Sequence, residues 1–246
     1  MIRVAAASTR ANVPRPLELL LQRKDMRVLL VLWLGATLLG AADAEWSVTF
    51  DDAGLRGWHL PIPEKWHIVD EGGNKILQLR EPGPIGNPRR PQQFALWQPG
   101  CVSDFELDVK VRRNGRSLLI AFGFQDRLHF YYTHISGDSG DFAVHNGLFK
   151  VDGGERFRIA GSGSAPALPT TGWHRVRVVR NVTMGSIDVF IDGGQEPRFH
   201  VIDRSFTHGW TGIGSFDETG DFDDFRLRGA PSAECRQEWI SPLDRE

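Results

Sequence analysis

From residue 45 onward the chain alternates apolar and polar residues in short runs, and no stretch has the spacing of an amphipathic helix. In Phe105-Glu106-Leu107-Asp108-Val109-Lys110-Val111 every second side chain is apolar and those between are charged, as in a strand with one buried and one solvated face. Ile187-Asp188-Val189-Phe190-Ile191 runs into an Asp192-Gly193-Gly194 turn, and His174 to Arg180 sets Val176 and Val178 between arginines. The same reading predicts strands at 46–50, 75–79, 94–97, 118–125, 128–135, 157–160, 198–202, 211–215 and 222–228. Gly, Pro, Asn and Asp separate them, which is the signature of many antiparallel strands. The expected architecture is all-β, a two-sheet antiparallel sandwich forming one domain over residues 45–230, with a C-terminal tail at 231–246. The proline-rich stretch 81–91 and the Gly/Ser stretch 161–166 are predicted loops at its rim, where binding loops tend to sit.

Residues 1–44 have a different composition. Met26-Arg27 precedes an apolar run from Val28 to Leu39 that is short for a bilayer span, and Ala42-Asp43-Ala44 supplies small residues for cleavage. The segment therefore reads as a secretory signal cut after Ala44 and starting at Met26, in preference to an uncleaved anchor. A secreted or periplasmic location follows. Removing it leaves 23 basic and 28 acidic residues of the 29 and 31 in the chain, a net charge of −5. With no basic face and no second apolar span in view, neither a nucleic-acid partner nor a membrane span after cleavage is expected.

Export permits a disulfide between Cys101 and Cys235, which would tie the tail to the body of the sandwich, whereas two separately buried thiols are the alternative.

The segment that looks most like a site is the predicted hairpin 118–135. A two-residue turn at Asp126-Arg127 places Phe122 opposite Tyr131, so that Leu118, Ile120, Phe122 and Phe124 share the core side with Tyr131 and Ile135. The other face then carries Ala121 and Gly123 beneath Phe130, Tyr132 and His134, an open platform suited to a sugar ring. Asp138, Asp141, His145 and Asn146 follow directly. His134, His145 and Tyr132 are the candidate acid and base groups; Phe130, Tyr132, His134, Asp138, His145 and Asn146 are the candidate ligand contacts. For His129, His134 and His145, hydrogen bonding within a loop or sheet face is preferred to a metal or catalytic role.

Phe122-Gly123-Phe124-Gln125-Asp126 with Phe130-Tyr131-Tyr132, Gly172-Trp173-His174, Ile187 to Gly193, Gly212-Ile213-Gly214-Ser215-Phe216 and Asp223 to Leu227 occur in an order that resembles laminin G-like and concanavalin A-like domains. Phe50-Asp51-Asp52 followed by Gly57-Trp58 is similar to the first strand of exported bacterial members. The resemblance implies a jelly roll and, in many members, a polysaccharide or oligosaccharide ligand. It extends to family 16 glycoside hydrolases and 3-keto-disaccharide hydrolases, but fold likeness does not carry activity. Glu106-Leu107-Asp108-Val109-Lys110 begins like the family 16 acid motif and puts Lys110 where an acid is required, so this strand reads as solvated. Calcium is frequent in such folds; Asp51 and Asp224 are its candidate ligands, and a solvated turn explains the same acids without metal. Three functions remain open: a carbohydrate-binding protein, a hydrolase or lyase cleaving a glycosidic bond, and an adhesive extracellular domain.

Overall fold

The computed structural model describes residues 43–52, 54–161 and 165–235, the side chains of 141–143 excepted. The expected signal segment, including Met26, and the end of the tail from residue 236 lie outside the described residues. So does the side chain of Asp141.

Among the described residues fourteen strands follow one another: β1 Ala44–Val48, β2 Trp58–His59, β3 Trp66–Glu71, β4 Asn74–Leu79, β5 Gln93–Arg113, β6 Ser117–Asp126, β7 His129–Ser136, β8 Gly147–Asp152, β9 Arg156–Ala160, β10 His174–Asn181, β11 Ser186–Ile191, β12 Phe199–Ile202, β13 Gly209–Ser215 and β14 Gly220–Pro231. All strand pairings are antiparallel. The all-β antiparallel architecture read from the sequence is the one observed.

The strands form two layers that share β5. Its first half, up to Val102, pairs with β13 and β2, while its second half, from Phe105, pairs with β10 and β14. The change of layer falls between Val102 and Phe105, just after a bulge at Gln98-Pro99-Gly100 in the pairing with β13, where proline lacks the N–H that a central ladder needs. One layer therefore runs β12-β11-β10-β5-β14, with β1 and β4 beside β14 and β3 beyond β4; the other runs β2-β5-β13-β6-β7-β8-β9.

Period-two alternation decides what lies between them. Leu107, Val109, Val111, Val176, Val178, Ile187, Val189 and Leu227 of the first layer meet Ala95, Leu118, Ile120, Phe122, Tyr131 and Ile135 of the second in one buried cluster. The charged residues between them point outward and pair with one another: Lys110 with Asp224 at 2.7 Å, Arg177 with Glu106 at 3.5 Å, and Arg175 with Asp108. Glu106 and Asp108 are thus ion-paired on the solvated face of the first layer, as the presence of Lys110 implied.

A polar ring ends the core near the β12–β13 loop. Arg180 continues the inward row of Val176 and Val178, is 4% exposed, and donates to the carbonyls of Gly185 and Asp203 at 2.8 Å and of Phe206 at 3.0 Å. The Tyr131 hydroxyl donates to the Asp203 carboxylate and accepts the Phe206 N–H at 3.1 Å. Lys150 Nζ reaches Asp203 at 3.1 Å and Ser205 at 2.6 Å. Burial alone would raise the Asp203 pKa; the hydrogen bonds from Tyr131, Ser205 and Lys150 outweigh it and hold it at about 2. Burial and the same carboxylate push the Tyr131 phenol up to about 12.

Candidate functional site

The other face of the second layer, turned away from the first, carries a second buried cluster. Alternation puts Phe94 and Leu96 of β5, Leu119 and Ala121 of β6, Phe130 and Tyr132 of β7, and Phe149 and Val151 of β8 on it, joined by Trp210 and Phe216. Phe130, Tyr132 and His134 therefore share a face, with Ala121 opposite Tyr132 and Leu119 opposite His134. Phe122 does pair with Tyr131.

Two details of the hairpin differ from expectation. The turn is at Arg127-Leu128, since Asp126 pairs with His129, and the register slips between Phe122 and Asp126. Gly123 occupies the left-handed region at φ 53°, so the extra residues of β6 form a bulge. Phe124 is thereby turned out of the inter-layer core. It stacks on Phe130 at 5.0 Å and meets Phe94 edge-on at 5.4 Å.

The platform is also not open. Phe130 and Tyr132 are fully buried and His134 is 1% exposed. Above this face lie three guanidinium groups: Arg156 over both Phe149 and Phe216 at 5.1 and 4.6 Å, Arg158 over Phe149 at 5.3 Å, and Arg89 over Phe216 at 4.8 Å. Arg156 also reaches the Tyr132 hydroxyl at 3.3 Å. Burial raises the Tyr132 pKa well above the usual phenol range despite these cations, so its hydroxyl stays protonated.

At one end of the face a polar chain replaces the aromatics. His134 Nε2 lies 2.8 Å from Ser117 Oγ, its ring stacks near Phe216 and meets His145 edge-on at 5.3 Å, and His145 Nδ1 is hydrogen-bonded to Asp138. Arg116 stands 3.6 Å from the other oxygen of Asp138. His134 Nδ1 has no hydrogen-bond partner among the described residues. Burial, and then the positive charge of His145, Arg156, Arg158 and Arg89, push its pKa well down, so the imidazole is neutral at neutral pH. Asn146 is fully buried and accepts the N–H of Ser136 and of Ala167 at 2.9 and 3.3 Å while donating to the Asp138 carbonyl at 2.9 Å. Its polar atoms are spent on fixing the loop that carries Asp138. Of the two facing histidines, His134 is buried and His145, with its side chain 22% exposed, reaches the surface.

Tyr132, His134, Asp138 and His145 thus converge. Arg89, Arg156, Arg158 and Ser117 join them without having been singled out from the sequence. The available signals were the adjacent Arg89 and Arg90 in the proline-rich loop and the alternation Arg156-Phe157-Arg158 in a strand.

The two acids considered for calcium, Asp51 and Asp224, each have other partners. Asp51 accepts the Lys75 N–H at 2.9 Å, and Asp224 is already neutralised by Lys110 and by Arg175 at 3.5 Å, which hold its pKa down. Among the described residues no group of three or more His, Cys, Asp or Glu side chains could hold a metal ion. Cys101 and Cys235 are joined in a disulfide with Cα atoms 6.1 Å apart, packed beside the aromatic cluster.

No protein-family model matches the chain, and no curated protein does. Solved structures are similar at low identity. The carbohydrate-binding module CBM66 from Bacillus subtilis matches at 16% identity over 69% of this chain and 94% of its own, with a TM-score of 0.49. Domain 4 of AbnA, an extracellular GH43 arabinanase from Geobacillus stearothermophilus, gives 12% identity over 78% and 95% with the same TM-score, 0.49. Lectin I-B4 from Griffonia simplicifolia gives 9% over 75% and 98%, with 0.46. At these TM-scores the likeness carries no weight for site or ligand, which rest on the residues themselves.

Proposed function

We propose that the chain is an exported, secreted or periplasmic, concanavalin A-like jelly-roll protein that binds an extracellular polysaccharide or oligosaccharide on the outer face of its second layer. The observation that supports this most strongly is the convergence on one sheet face of Tyr132, His134, His145 and Asp138 with three arginines. β7 and β9 carry Tyr132, His134, Arg156 and Arg158, loops hydrogen-bonded to the sheet carry Asp138, His145 and Arg89, and their hydrogen-bonding edges border an aromatic layer, as sugar recognition requires. A polysaccharide array probed with the folded chain is expected to give specific binding to at least one class. His145→Ala should weaken it roughly tenfold, the loss of one charge-assisted hydrogen bond. Absence of binding to plant, algal and bacterial polysaccharides alike would sink the reading.

Cleavage of a glycosidic bond is the second reading, favoured by the Asp138–His145 pair. The carboxylate fixes the imidazole tautomer and leaves its other nitrogen for proton transfer. Of His134, His145 and Tyr132, only His145 is reachable from solvent. New reducing ends or unsaturated sugars released from a bound polysaccharide, and lost in His145→Ala, would establish it.

A further inference from the structure

We infer that the polysaccharide this face recognises is an anionic one, bearing carboxylate or sulfate groups that the guanidinium groups of Arg89, Arg156 and Arg158 bind. The inference rests on the proposed carbohydrate function and names its ligand class.

Three observations carry it. The first is charge without compensation. Lys110, Arg112, Arg175, Arg177 and Arg228 each have an acidic partner within 4.0 Å, as befits a region with more acids than bases. Arg89, Arg156 and Arg158 have no carboxylate partner among the described residues, although they lie over the same two rings, Phe149 and Phe216. Three like charges gathered in this way repel one another, and a bound anion removes that cost.

The second is that the gathering is built by the backbone. The Arg156 N–H donates to the Arg89 carbonyl at 3.1 Å, fastening the proline-rich loop to β9. The loop closes on itself through the Gly86 N–H to Arg90 carbonyl bond at 2.9 Å and the bridge between Ile85 and Pro91. Arg89 is thus delivered beside Arg156 by a fixed turn. The remaining contacts of the set are an Arg156 bond to the Tyr132 hydroxyl and an Arg158 bond to the Val144 carbonyl.

The third decides between a neutral and an acidic sugar. A neutral glycan would stack on exposed ring faces, yet the faces of Phe149 and Phe216 are already taken by guanidinium planes, and Tyr132 is fully buried. What reaches solvent is guanidinium: Arg89 and Arg158 are exposed and Arg156 half-buried. A guanidinium stacked on a ring keeps its N–H edge for bidentate bonding to a carboxylate or sulfate. Pyranose hydroxyls have no charge to offer it.

The test is affinity electrophoresis and calorimetry on the full chain at low salt, with polygalacturonate and alginate as carboxylate probes, carrageenan and heparin as sulfate probes, and xylan and laminarin as neutral ones. Binding is expected to at least one acidic polymer, at least tenfold tighter than to either neutral one, and weakened by 0.5 M NaCl. Whichever acidic arm binds identifies the anion. Arg89→Ala and Arg158→Ala should each lower the affinity roughly fivefold or more and add when combined, with circular dichroism unchanged. Arg226→Ala, on the other layer, should leave it as it is. Equal or tighter binding to a neutral glycan, unaffected by the arginine changes, would overturn the anionic inference and leave the carbohydrate reading intact. Binding to no glycan, or preference for an oligonucleotide over every acidic polysaccharide, would overturn both.

Discussion

Replacing Cys101 and Cys235 together by serine is expected to lower the unfolding free energy by about 5 kcal/mol at 25 °C. The bond closes a loop of 134 residues, from within β5 to beyond β14, and the loop-closure entropy it removes from the unfolded state is of that size. Little native structure depends on the bond itself. The Ser232 N–H donates to the Cys101 carbonyl at 3.0 Å and Pro231 pairs with Val102, so the last strand stays in register without it. The effect should therefore appear as a shift of the urea midpoint with the fold retained, and the oxidised wild type treated with reductant should behave as the double serine variant. A change below about 1 kcal/mol would show that the cross-link does not constrain the unfolded chain.

Arg180→Ala is expected to cost about 3–5 kcal/mol, the cost of leaving several carbonyls at the end of the core without their charged donor. One guanidinium serves carbonyls of Gly185, Asp203 and Phe206 at the mouth of the core, and its plane lies over Tyr131 at 5.5 Å. Truncation leaves those carbonyls buried and unpaired and loosens the loop that Lys150 and Tyr131 hold through Asp203. Arg180→Lys should recover only part of the loss, because an ammonium cannot span acceptors on both sides of the loop as the planar fork does. Urea denaturation of the two variants checks this; stability within 1 kcal/mol of wild type in Arg180→Ala would mean that the loop is held by Lys150 and Tyr131 alone.

What was legible in the sequence follows from where water meets the sheets. Phe105 to Val111, His174 to Arg180 and Ile187 to Ile191 have one solvated face, so their alternation announced them. Gly147–Asp152 did not: Leu148 faces the inter-layer core, Phe149 and Val151 the aromatic cluster, and Lys150 is buried by its pairing with Asp203, so both faces are covered and no polar stripe remains. Trp66–Glu71 was missed for a different reason, its residues being too mixed to show a face. The two predicted strands at 94–97 and 105–111 are one continuous strand, because proline and glycine form a bulge in it and the change of layer after Val102 does not end it.

The site divides along the same line. Tyr132, His134, Asp138 and His145 could be grouped because one hairpin and its following loop carry them all. Arg89 and Arg156 could not, since a single backbone hydrogen bond between distant segments brings them together. The bulge at Gly123 was equally silent, and it moved Phe124 from one side of the sheet to the other.

Hydrogen exchange on the full chain, with and without a saturating bound acidic oligosaccharide, tests most directly whether the outer face of the second layer is the binding surface. Protection is predicted in 86–91, 144–151 and 156–158, the segments that carry Arg89, His145, Phe149, Arg156 and Arg158, with β10 and β14 unchanged. Protection confined to β10 and β14, on the ion-paired face of the first layer, would contradict it.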